Sequence, residues 1–362
     1  MAAIKVKDAG TTKYDLVTLG ECMIRLSPLG RGRIEYAHEM DVWVGGGEYN
    51  VSYACARLGL KTAWLSRNVD NPLGRLIMNH ARAVGVDVSH VKMVKYDGVG
   101  KKDRVGLNFT EVGIGPRASV TMYDRGHSAA SHMCPQDVDF VKVFEKDGTR
   151  WLHTGGIFTA LGPNCAETCK MALEVAHKNG AITSYDLNFR SKLWSSEEAI
   201  KTTKQLLPFI DILIGNEEDF QKVLGYKVEG TDENLTKLPV EQYKKMVQRV
   251  VADNPNISGV GTTLREVLSG LINNWSAILY YDGKFYESRK FEKLEIEDRV
   301  GGGDGFATGL VYGFLNNLGP DGAVNFGAAH GALAQTTRGD TSMLTLQEVL
   351  DVMGGASARI KR

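Results

Sequence analysis

Short apolar runs alternate with longer amphipathic segments along most of the chain. The short runs predict β-strands and the amphipathic segments predict helices. Strands are predicted at residues 15–20, 62–66, 86–94, 151–154, 182–185, 211–214, 258–262 and 277–281. Helices are predicted at residues 51–58, 73–84, 165–178, 240–251, 304–316, 323–336 and 346–353, with a further helix that begins at Ser196. This alternation is typical of an α/β fold, and we predict one doubly wound, mostly parallel sheet with helices on both faces.

Two stretches depart from the alternation. Residues 23–44 and 104–123 contain short alternating segments that are broken by glycine and proline, among them Pro28 and Pro116. Such segments are typical of hairpins rather than of crossover helices. We therefore expect a small β lid, formed by about these residues and inserted in a single domain that spans residues 14–362.

The overall charge and the termini exclude some classes of partner. The 43 Lys and Arg residues balance the 43 Asp and Glu residues, so bulk charge favours neither nucleic acid nor a membrane surface. No apolar run approaches the roughly 20 residues of a membrane span, and residues 1–13 lack the core of a signal peptide. We expect a disordered extension at residues 1–13. Five cysteines without a CxxC pair favour a reducing, cytoplasmic location.

The stretch Asp298–Phe306 carries the clearest chemical signal. Its glycines at 301–303 let the backbone approach a bulky anion, and the apolar run that follows predicts a helix whose first N–H groups face that anion. Asp304 lies where a carboxylate would meet a hydroxyl group, and it is the candidate catalytic base. The same residues also fit a glycine turn followed by an Asp that caps a helix, and the stretch alone favours both interpretations about equally.

Other polar clusters follow predicted strands, at the edge where an open α/β sheet binds its ligands. They are Gly45–Asn50, Asp186–Arg190 and Asn216–Asp219, and the first strand itself ends in Gly20 and Glu21. Acidic and amide residues after a strand also cap helices, so each cluster alone has a structural interpretation as well. Their recurrence at successive strand ends favours a binding site.

Arg125 and Arg190 fall close to these clusters. A guanidinium is the usual partner of a carboxylate or a phosphate, although most arginines only solvate a surface. His127 and His132 lie beside Arg125, but their spacing matches no metal-ligand motif, so we expect no metal there.

The common nucleotide-binding motifs are missing from the sequence. No G-x-x-x-x-G-K-[ST] occurs, which excludes the P-loop class. Gly113–Ala118 fits GxGxxA, yet Pro116 and Arg117 occupy the place where a dinucleotide-binding helix would begin. A nicotinamide-dependent oxidoreductase is thus a weak alternative.

Two glycine motifs together resemble those of a known family. Val44-Gly-Gly-Gly-Glu-Tyr-Asn50 and Val300-Gly-Gly-Gly-Asp304 are similar to the two signatures of the ribokinase-like carbohydrate kinases, the phosphofructokinase-B group. The resemblance covers essentially residues 15–351. Within it, Tyr123–Ala129 and Asp186–Trp194 look like the 2-keto-3-deoxygluconate kinase branch.

The resemblance implies a set of site residues. Asp304 would be the base, and the amides of Gly301, Gly302 and Gly303 would form the anion hole. Substrate-binding residues would be Gly46, Asn50, Asn108, Tyr123, Arg125, Arg190 and Asp304. ATP would contact Asn216, Thr262, Arg265, Gly301, Gly303 and Asn325, and Mg²⁺ would be held through water by Asn216 and Asp219.

Several of these positions depart from the family pattern. Asp219 stands where the family has Glu, which shortens the arm toward magnesium. Val300 replaces a threonine, and residues 262–267 replace a Lys-x-Gly-x-x-Gly run beside the nucleotide. The branch commonly has Tyr at the place of Asn108, so the sugar contact there is expected to differ.

The implied activity is ATP- and Mg²⁺-dependent phosphorylation of the terminal hydroxyl of 2-keto-3-deoxygluconate. The scaffold alone does not fix the sugar, so fructose, ribose, a nucleoside and 2-keto-3-deoxygalactonate remain alternatives. A sugar-sensing binding protein on the same fold is a further one. Because a projecting hairpin leaves exposed edges, we also expect a homodimer formed through the lid.

Overall fold

The computed structural model describes residues 3–226 and 240–355 of the 362-residue chain. Its strands are β1 Tyr14–Leu19, β2 Met23–Pro28, β3 Met40–Gly45, β4 Thr62–Asp70, β5 Val91–Lys95, β6 Leu107–Glu111, β7 Val120–Asp124, β8 Thr149–Gly155, β9 Ile182–Asp186, β10 Ile212–Ile214, β11 Gly259–Val267, β12 Ile272–Tyr281, β13 Lys284–Glu287 and β14 Phe291–Glu295. Its helices are α1 Gly47–Arg57, α2 Pro72–Arg82, α3 Gly156–Thr159, α4 Pro163–Lys178, α5 Ser196–Leu206, α6 Glu217–Leu224, α7 Val240–Asp253, α8 Gly302–Leu315, α9 Gly319–Ala334 and α10 Leu346–Met353.

The main sheet has the order β13-β12-β11-β10-β9-β8-β1-β4-β5, and β14 pairs with β12. Every neighbouring pair from β11 to β5 is parallel. Helices cover both faces, because alternate strand residues point to opposite sides: Leu213 packs with α4 to α7, whereas Ile212 and Ile214 pack with α8 and α9. The predicted doubly wound, mostly parallel sheet is confirmed.

One edge of the sheet differs from the prediction. Strands β12, β13 and β14 run antiparallel, and neither β13 nor β14 was predicted. Both are short and carry exposed charged residues, so their hydrophobic pattern is weak. At the other edge, the strand predicted at 86–94 begins only at Val91. Val86 and Val88 are buried in the preceding loop, and their apolar pattern made the predicted strand too long.

A second, smaller sheet has the order β3-β2-β6-β7. Two antiparallel hairpins, β2–β3 and β6–β7, are joined by parallel pairing between β2 and β6. This sheet is the predicted β lid, and its strands lie within residues 23–45 and 107–124.

The amino-terminal segment differs from the expected disordered extension in its described part. The side chains of Ile4 and Val6 pack against the core beneath α8, and the N–H of Ile4 donates to the Tyr281 hydroxyl at 2.9 Å. Arg150 Nε also donates to the carbonyl of Lys7 at 2.8 Å. The apolar contacts of Ile4 and Val6 and these two hydrogen bonds attach the described part of the segment to the body.

Helices α8 and α9 pack backbone to backbone. A Cβ atom added at Gly309 would lie 2.5 Å from the Cα of Gly327, and one added at Gly305 would lie 2.9 Å from the Cα of Gly331. Only glycine permits such an approach, so these positions fix how closely α8 packs against α9 and which residues of the two helices face each other. The start of α8, which carries the glycine-rich stretch, is held in place by this contact.

A buried ion-pair network joins the lid to the loops around that glycine-rich stretch. The side chain of Arg25, on β2, is only 1% exposed. Its Nη2 lies 2.6 Å from Asp298 Oδ2, and its Nε lies 2.7 Å from Asp340 Oδ2. Asp298 precedes α8 and Asp340 follows α9. The guanidinium of Arg25 therefore joins lid strand β2 to both of the loops that carry these carboxylates.

We predict that Arg25→Ala lowers the free energy of unfolding by about 3–5 kcal/mol, because it leaves two buried carboxylates without their counter-charge. Denaturant titration followed by circular dichroism measures this loss. The matched control is Arg33→Ala in the same lid, whose side chain is 53% exposed beside Glu111 and whose loss should cost at most about 1 kcal/mol. Equal losses in the two variants would contradict the importance assigned to the buried pair.

Candidate active site

The polar clusters predicted from the sequence meet at the carboxyl ends of the parallel strands. They line two adjoining cavities. The first cavity, of about 120 Å³, lies between the lid and the sheet, and the second, of about 520 Å³, lies between β11 and the start of α8. Asp304, Asn188, Arg190, Tyr123 and Val300 line both. A group bound in one cavity can therefore react with a group bound in the other at Asp304.

The glycine-rich stretch forms an open helix start at this junction. Gly301 precedes α8 with a left-handed φ of 90°, and no described side chain caps the helix. Gly303 is exposed, and a Cβ added to it would meet nothing within 4 Å. The first N–H groups of α8 therefore remain available to an anion in the second cavity.

The carboxylate of Asp304 is held at the first turn of α8. Its Oδ2 accepts a hydrogen bond from Asn50 Nδ2 at 2.6 Å. Burial raises the pKa of Asp304, while the Asn50 hydrogen bond and the charge of Arg190 act in the opposite direction. A carboxylate that is oriented and partly desolvated in this way is suited to accept a proton.

Residues from the lid and from α1 complete the first cavity. Gly46 lies so close to the β1–β2 connection that a Cβ there would be 2.0 Å from the carbonyl oxygen of Glu21. Asn108 is buried on β6, and its side-chain oxygen accepts from Thr110 Oγ1 at 3.3 Å. Tyr123 is 39% exposed on β7. The structure thus brings together Gly46, Asn50, Asn108, Tyr123, Arg125, Arg190 and Asp304, which are all the substrate-binding residues expected from the resemblance.

The two arginines of this cavity are not equivalent. Arg125 Nη2 lies 3.1 Å from Glu21 Oε2, and its guanidinium lies over the Tyr123 ring, 4.8 Å from the centroid. Arg190 is exposed, and it donates to the carbonyl of Phe189 at 2.8 Å without an ion pair to any residue that the structure describes. Arg190 therefore offers the less compensated positive charge to an anionic ligand.

The second cavity differs from the expectation at two residues. Thr262 is fully buried and its hydroxyl contacts that of Tyr243, so Thr263 lines the cavity in its place, together with the expected Arg265. Successive side chains of a strand point to opposite faces, which is why the neighbouring threonine takes this place. Asn325 lies in the middle of α9, accepts from the Arg289 N–H at 2.9 Å and lines neither cavity.

Asn216 and Asp219 serve first as a helix cap. Asn216 Oδ1 accepts from the Asp219 N–H and Asp219 Oδ2 accepts from the Asn216 N–H, both at 2.9 Å. Asp219 Oδ1 also accepts from the Phe189 N–H at 2.9 Å. The interpretation of this cluster as a helix cap is therefore confirmed. Both side chains also line the second cavity.

The oxygen-rich wall around Asp219 fits a hydrated magnesium ion better than a directly bound one. Asp186, Glu218 and Asp219 bring carboxylates to the second cavity, and Mg²⁺ prefers such oxygen ligands while it keeps several of its waters. Within the described residues, no group of three or more His, Cys, Asp or Glu side chains is placed to enclose a metal.

Sequence reasoning missed several residues that line the cavities. Glu21 and Glu48 are buried in the first cavity, and Arg299 lies beside Arg265 in the second. Burial and the nearby charge of Arg265 lower the pKa of Arg299. Asn188 has a left-handed φ of 31° and contributes to both cavities. Each of these residues lies within or beside a cluster noted in the sequence, but nothing in the pattern showed which side chain would face the ligand.

Comparison with known proteins agrees with this arrangement. The pfkB family carbohydrate kinase pattern matches residues 13–252. The chain is 32% identical to the 2-dehydro-3-deoxygalactonokinase of Haloferax volcanii, an alignment that covers 96% of this chain and 99% of that protein. It is 28% identical to the 2-dehydro-3-deoxygluconokinase of Thermoproteus tenax, over 93% of each chain.

A solved structure is similar over nearly the whole chain. It is the crystal structure of 2-dehydro-3-deoxygluconokinase from Thermotoga maritima, which is 37% identical and superimposes with a TM-score of 0.87. The match covers 94% of this chain and 99% of that one. The family match, the relatives and the shared fold lead to one conclusion: the chain belongs to the pfkB family of carbohydrate kinases, with the ribokinase-like fold.

Proposed function

We propose that this carbohydrate kinase transfers a phosphoryl group from ATP to the terminal hydroxyl of 2-keto-3-deoxygluconate. The observation that carries the proposal is the position of Asp304 between the two cavities, at the start of a helix without a side-chain cap. The sugar acid would bind in the first cavity and the nucleotide in the second. The names of the Thermotoga and Thermoproteus relatives support this choice of sugar.

In this proposal, residues of the two cavities would carry out each part of the transfer. Asp304 would accept the proton of the attacking hydroxyl, with Asn50 holding its carboxylate in place. The amides of Gly302 and Gly303, together with the positive end of α8, would stabilise the charge of the moving phosphoryl group. Arg265 and Arg299 supply further positive charge to the second cavity.

Magnesium would be held near Asn216 and Asp219 through water. Once bound with the nucleotide, it would neutralise phosphate charge. Because Asp219 already accepts two backbone hydrogen bonds, it is better placed to receive hydrogen bonds from the ion's waters than to displace them. Arg265 on β11 would then contact the nucleotide where other family members have a Lys-x-Gly-x-x-Gly run.

A second sugar has support of its own. The Haloferax relative is named for 2-keto-3-deoxygalactonate, which is likewise a keto sugar acid. The free charge of Arg190 suits either sugar acid, since a neutral hexose would leave that guanidinium without a charged partner. The shared feature that we propose for the substrate is therefore the acid group, with 2-keto-3-deoxygluconate as the first choice.

The outer face of the lid suggests how two subunits would associate. Val42, Leu26, Phe109 and Met122 lie opposite one another in a row across the four strands. Val42 is 51% exposed and Met122 is 52% exposed, on the face opposite to Arg25, Asn108 and Tyr123. We propose that this apolar row pairs with its copy in a homodimer.

We propose a location in the cytoplasm because the cysteines are not paired in disulfides. Cys22, Cys55, Cys134, Cys165 and Cys169 are all free thiols, as expected where thiols are kept reduced. No helix in residues 3–226 or 240–355 has both the length and the apolar character needed to cross a bilayer.

The proposed base is tested with Asp304→Asn. We expect kcat to fall by about 10²–10⁴-fold, because the amide cannot accept the hydroxyl proton. Coupled ADP release measures the rate, and Asp321→Asn, an exposed residue in the first turn of α9, is the control. Because burial raises the pKa of Asp304, the acid limb of the wild-type kcat profile should lie above the usual range of aspartate. Near wild-type turnover of the Asn variant would remove Asp304 from its role.

The proposed substrate is tested by turnover of a panel with ATP and Mg²⁺. The panel contains 2-keto-3-deoxygluconate, 2-keto-3-deoxygalactonate, gluconate, fructose, ribose and adenosine, and each reaction is repeated with EDTA. We expect the keto acids to be preferred and EDTA to abolish turnover.

Arg190→Ala should raise KM for the acids by about 10–100-fold and leave neutral sugars little affected, since a charged hydrogen bond is lost. Arg82→Ala, on the exposed side of α2, is the control. A preference for neutral sugars, or an unchanged preference in Arg190→Ala, would contradict the proposal.

The proposed dimer is tested by sedimentation at micromolar concentration. The wild type should sediment as a dimer and Met122→Lys as a monomer, because the new charges would face each other in an apolar contact. Met171→Lys places the same charge on α4, where Met171 is 40% exposed, and should leave the dimer intact. A monomeric wild type would end this proposal.

A further inference from the structure

Glu48 is a buried acid to which the proposed reaction assigns no role. It lies in the first turn of α1, between the substrate-side residues Gly46 and Asn50. It lines the first cavity and is only 4% exposed. Its carboxyl group is thus in a position to contact a bound sugar.

The backbone leaves space for this carboxyl group at the centre of the sheet. A Cβ added at Gly20, just after β1, would lie 2.3 Å from Glu48 Oε2. A Cβ added at Gly155, at the end of β8, would lie 3.2 Å from Glu48 Oε1. The carboxyl group therefore lies across the ends of two central strands, and a side chain at Gly20 would displace it.

The other acids of the first cavity pair with another residue, whereas Glu48 has no hydrogen bond or ion pair to another residue that the structure describes. Glu21 accepts from the Ser128 hydroxyl and pairs with Arg125, Asp304 accepts from Asn50, and Asp340 pairs with Arg25. Within the described residues, the hydrogen bonding of the Glu48 carboxyl is limited to its own backbone N–H. A buried carboxyl group that contacts only its own backbone keeps hydrogen-bonding capacity that a ligand can use.

The surroundings of Glu48 disfavour its charge. Asp304 on α8, Glu21 after β1 and Asp186 at the end of β9 are acidic neighbours, and Arg125 after β7 is a cation that acts in the opposite direction. Tyr185 on β9 and Cys169 on α4 also face it. Burial, followed by the charges of Asp304 and Glu21, raises the pKa of Glu48 to about 8.

We propose that Glu48 is a specificity-determining residue that contacts the sugar as a neutral carboxylic acid. It donates a hydrogen bond to the carboxylate or the keto oxygen of the sugar. This inference rests on the proposed function, in which the substrate is a keto sugar acid. A carboxylate and a ketone only accept hydrogen bonds, so they require a donor and would be repelled by an ionised Glu48. A sugar that carries only hydroxyl groups can donate to the ionised form, and its binding does not depend on this proton.

Because the proposed hydrogen bond requires a proton on the Glu48 carboxyl group, equilibrium binding measurements test the inference directly, without turnover. Titration calorimetry of 2-keto-3-deoxygluconate at pH 8.5, in two buffers with different heats of ionisation, measures the protons taken up on binding. We expect uptake by the wild type, because the bound acid favours protonated Glu48, and none by Glu48→Gln, whose amide cannot titrate. Above pH 8 the wild-type affinity should weaken toward tenfold per pH unit, since only the protonated form binds well.

Variants separate this role from a structural one. Glu48→Gln should bind the acid with an affinity that is constant between pH 7 and 9, whereas Glu48→Leu, which has no donor, should bind it weakly at both pH values. Glu174→Gln, at an exposed position of α4, should keep the wild-type proton uptake. Asp340 does not interfere, because its pKa of about 6 lies below this range.

Two results would overturn the inference. The first is equal proton uptake by the wild type and Glu48→Gln, and the second is an affinity of Glu48→Leu for the acid that equals that of the wild type. Failure of the proposed function is seen separately, as absent binding of every keto acid by the wild type while a neutral sugar is bound and phosphorylated.

Discussion

The contact on which the site most depends is the buried pairing of Arg25 with Asp298 and Asp340. A guanidinium that is 1% exposed is costly to desolvate, and its two carboxylates compensate for this only while they hold their positions. Arg25 belongs to the lid, Asp298 leads into the glycine-rich stretch, and Asp340 follows α9. The lid strand and both loops beside Asp304 therefore behave as one unit, and a displacement of β2 would separate charges in a medium of low dielectric.

The start of α8 is fixed from its other side by helix packing and by His330. Gly305 and Gly309 bring α8 against α9, and His330 Nδ1 lies 2.9 Å from the carbonyl oxygen of Gly305. A carbonyl only accepts, so this nitrogen carries the proton and Nε2 accepts from the hydroxyl of Ser342. Burial lowers the pKa of His330 to about 4, which keeps this arrangement neutral and stable at physiological pH. An uncapped helix start can remain ordered here because tertiary contacts replace the missing cap.

Much of the fold followed from the sequence because a parallel sheet buries both faces of its strands and leaves strong apolar runs. The antiparallel edge did not follow, since β13 and β14 are short and exposed, and their pairing is decided by β12 rather than by their own pattern. Most of the residues expected at the site line one of the two cavities, and two of the expected nucleotide contacts do not. Thr262 was expected where Thr263 lies, because a one-residue uncertainty on a strand exchanges its faces. Asn325 was inferred from resemblance alone, and its contact with Arg289 could not be read from local sequence.

The charges of the first cavity explain why an acidic sugar would fit a site that is itself rich in acids. Arg25 is compensated by Asp298 and Asp340, and Arg125 is compensated by Glu21, so neither offers much net charge to a ligand. Arg190 remains, and its field must act against that of Asp304, which the proposed reaction requires in its ionised form. A second ionised acid facing the sugar would weaken the attraction of an anionic ligand further. Keeping the carboxyl of Glu48 protonated by burial removes that charge without removing a hydrogen-bonding group, so the preference for a sugar acid would depend on one guanidinium and one retained proton.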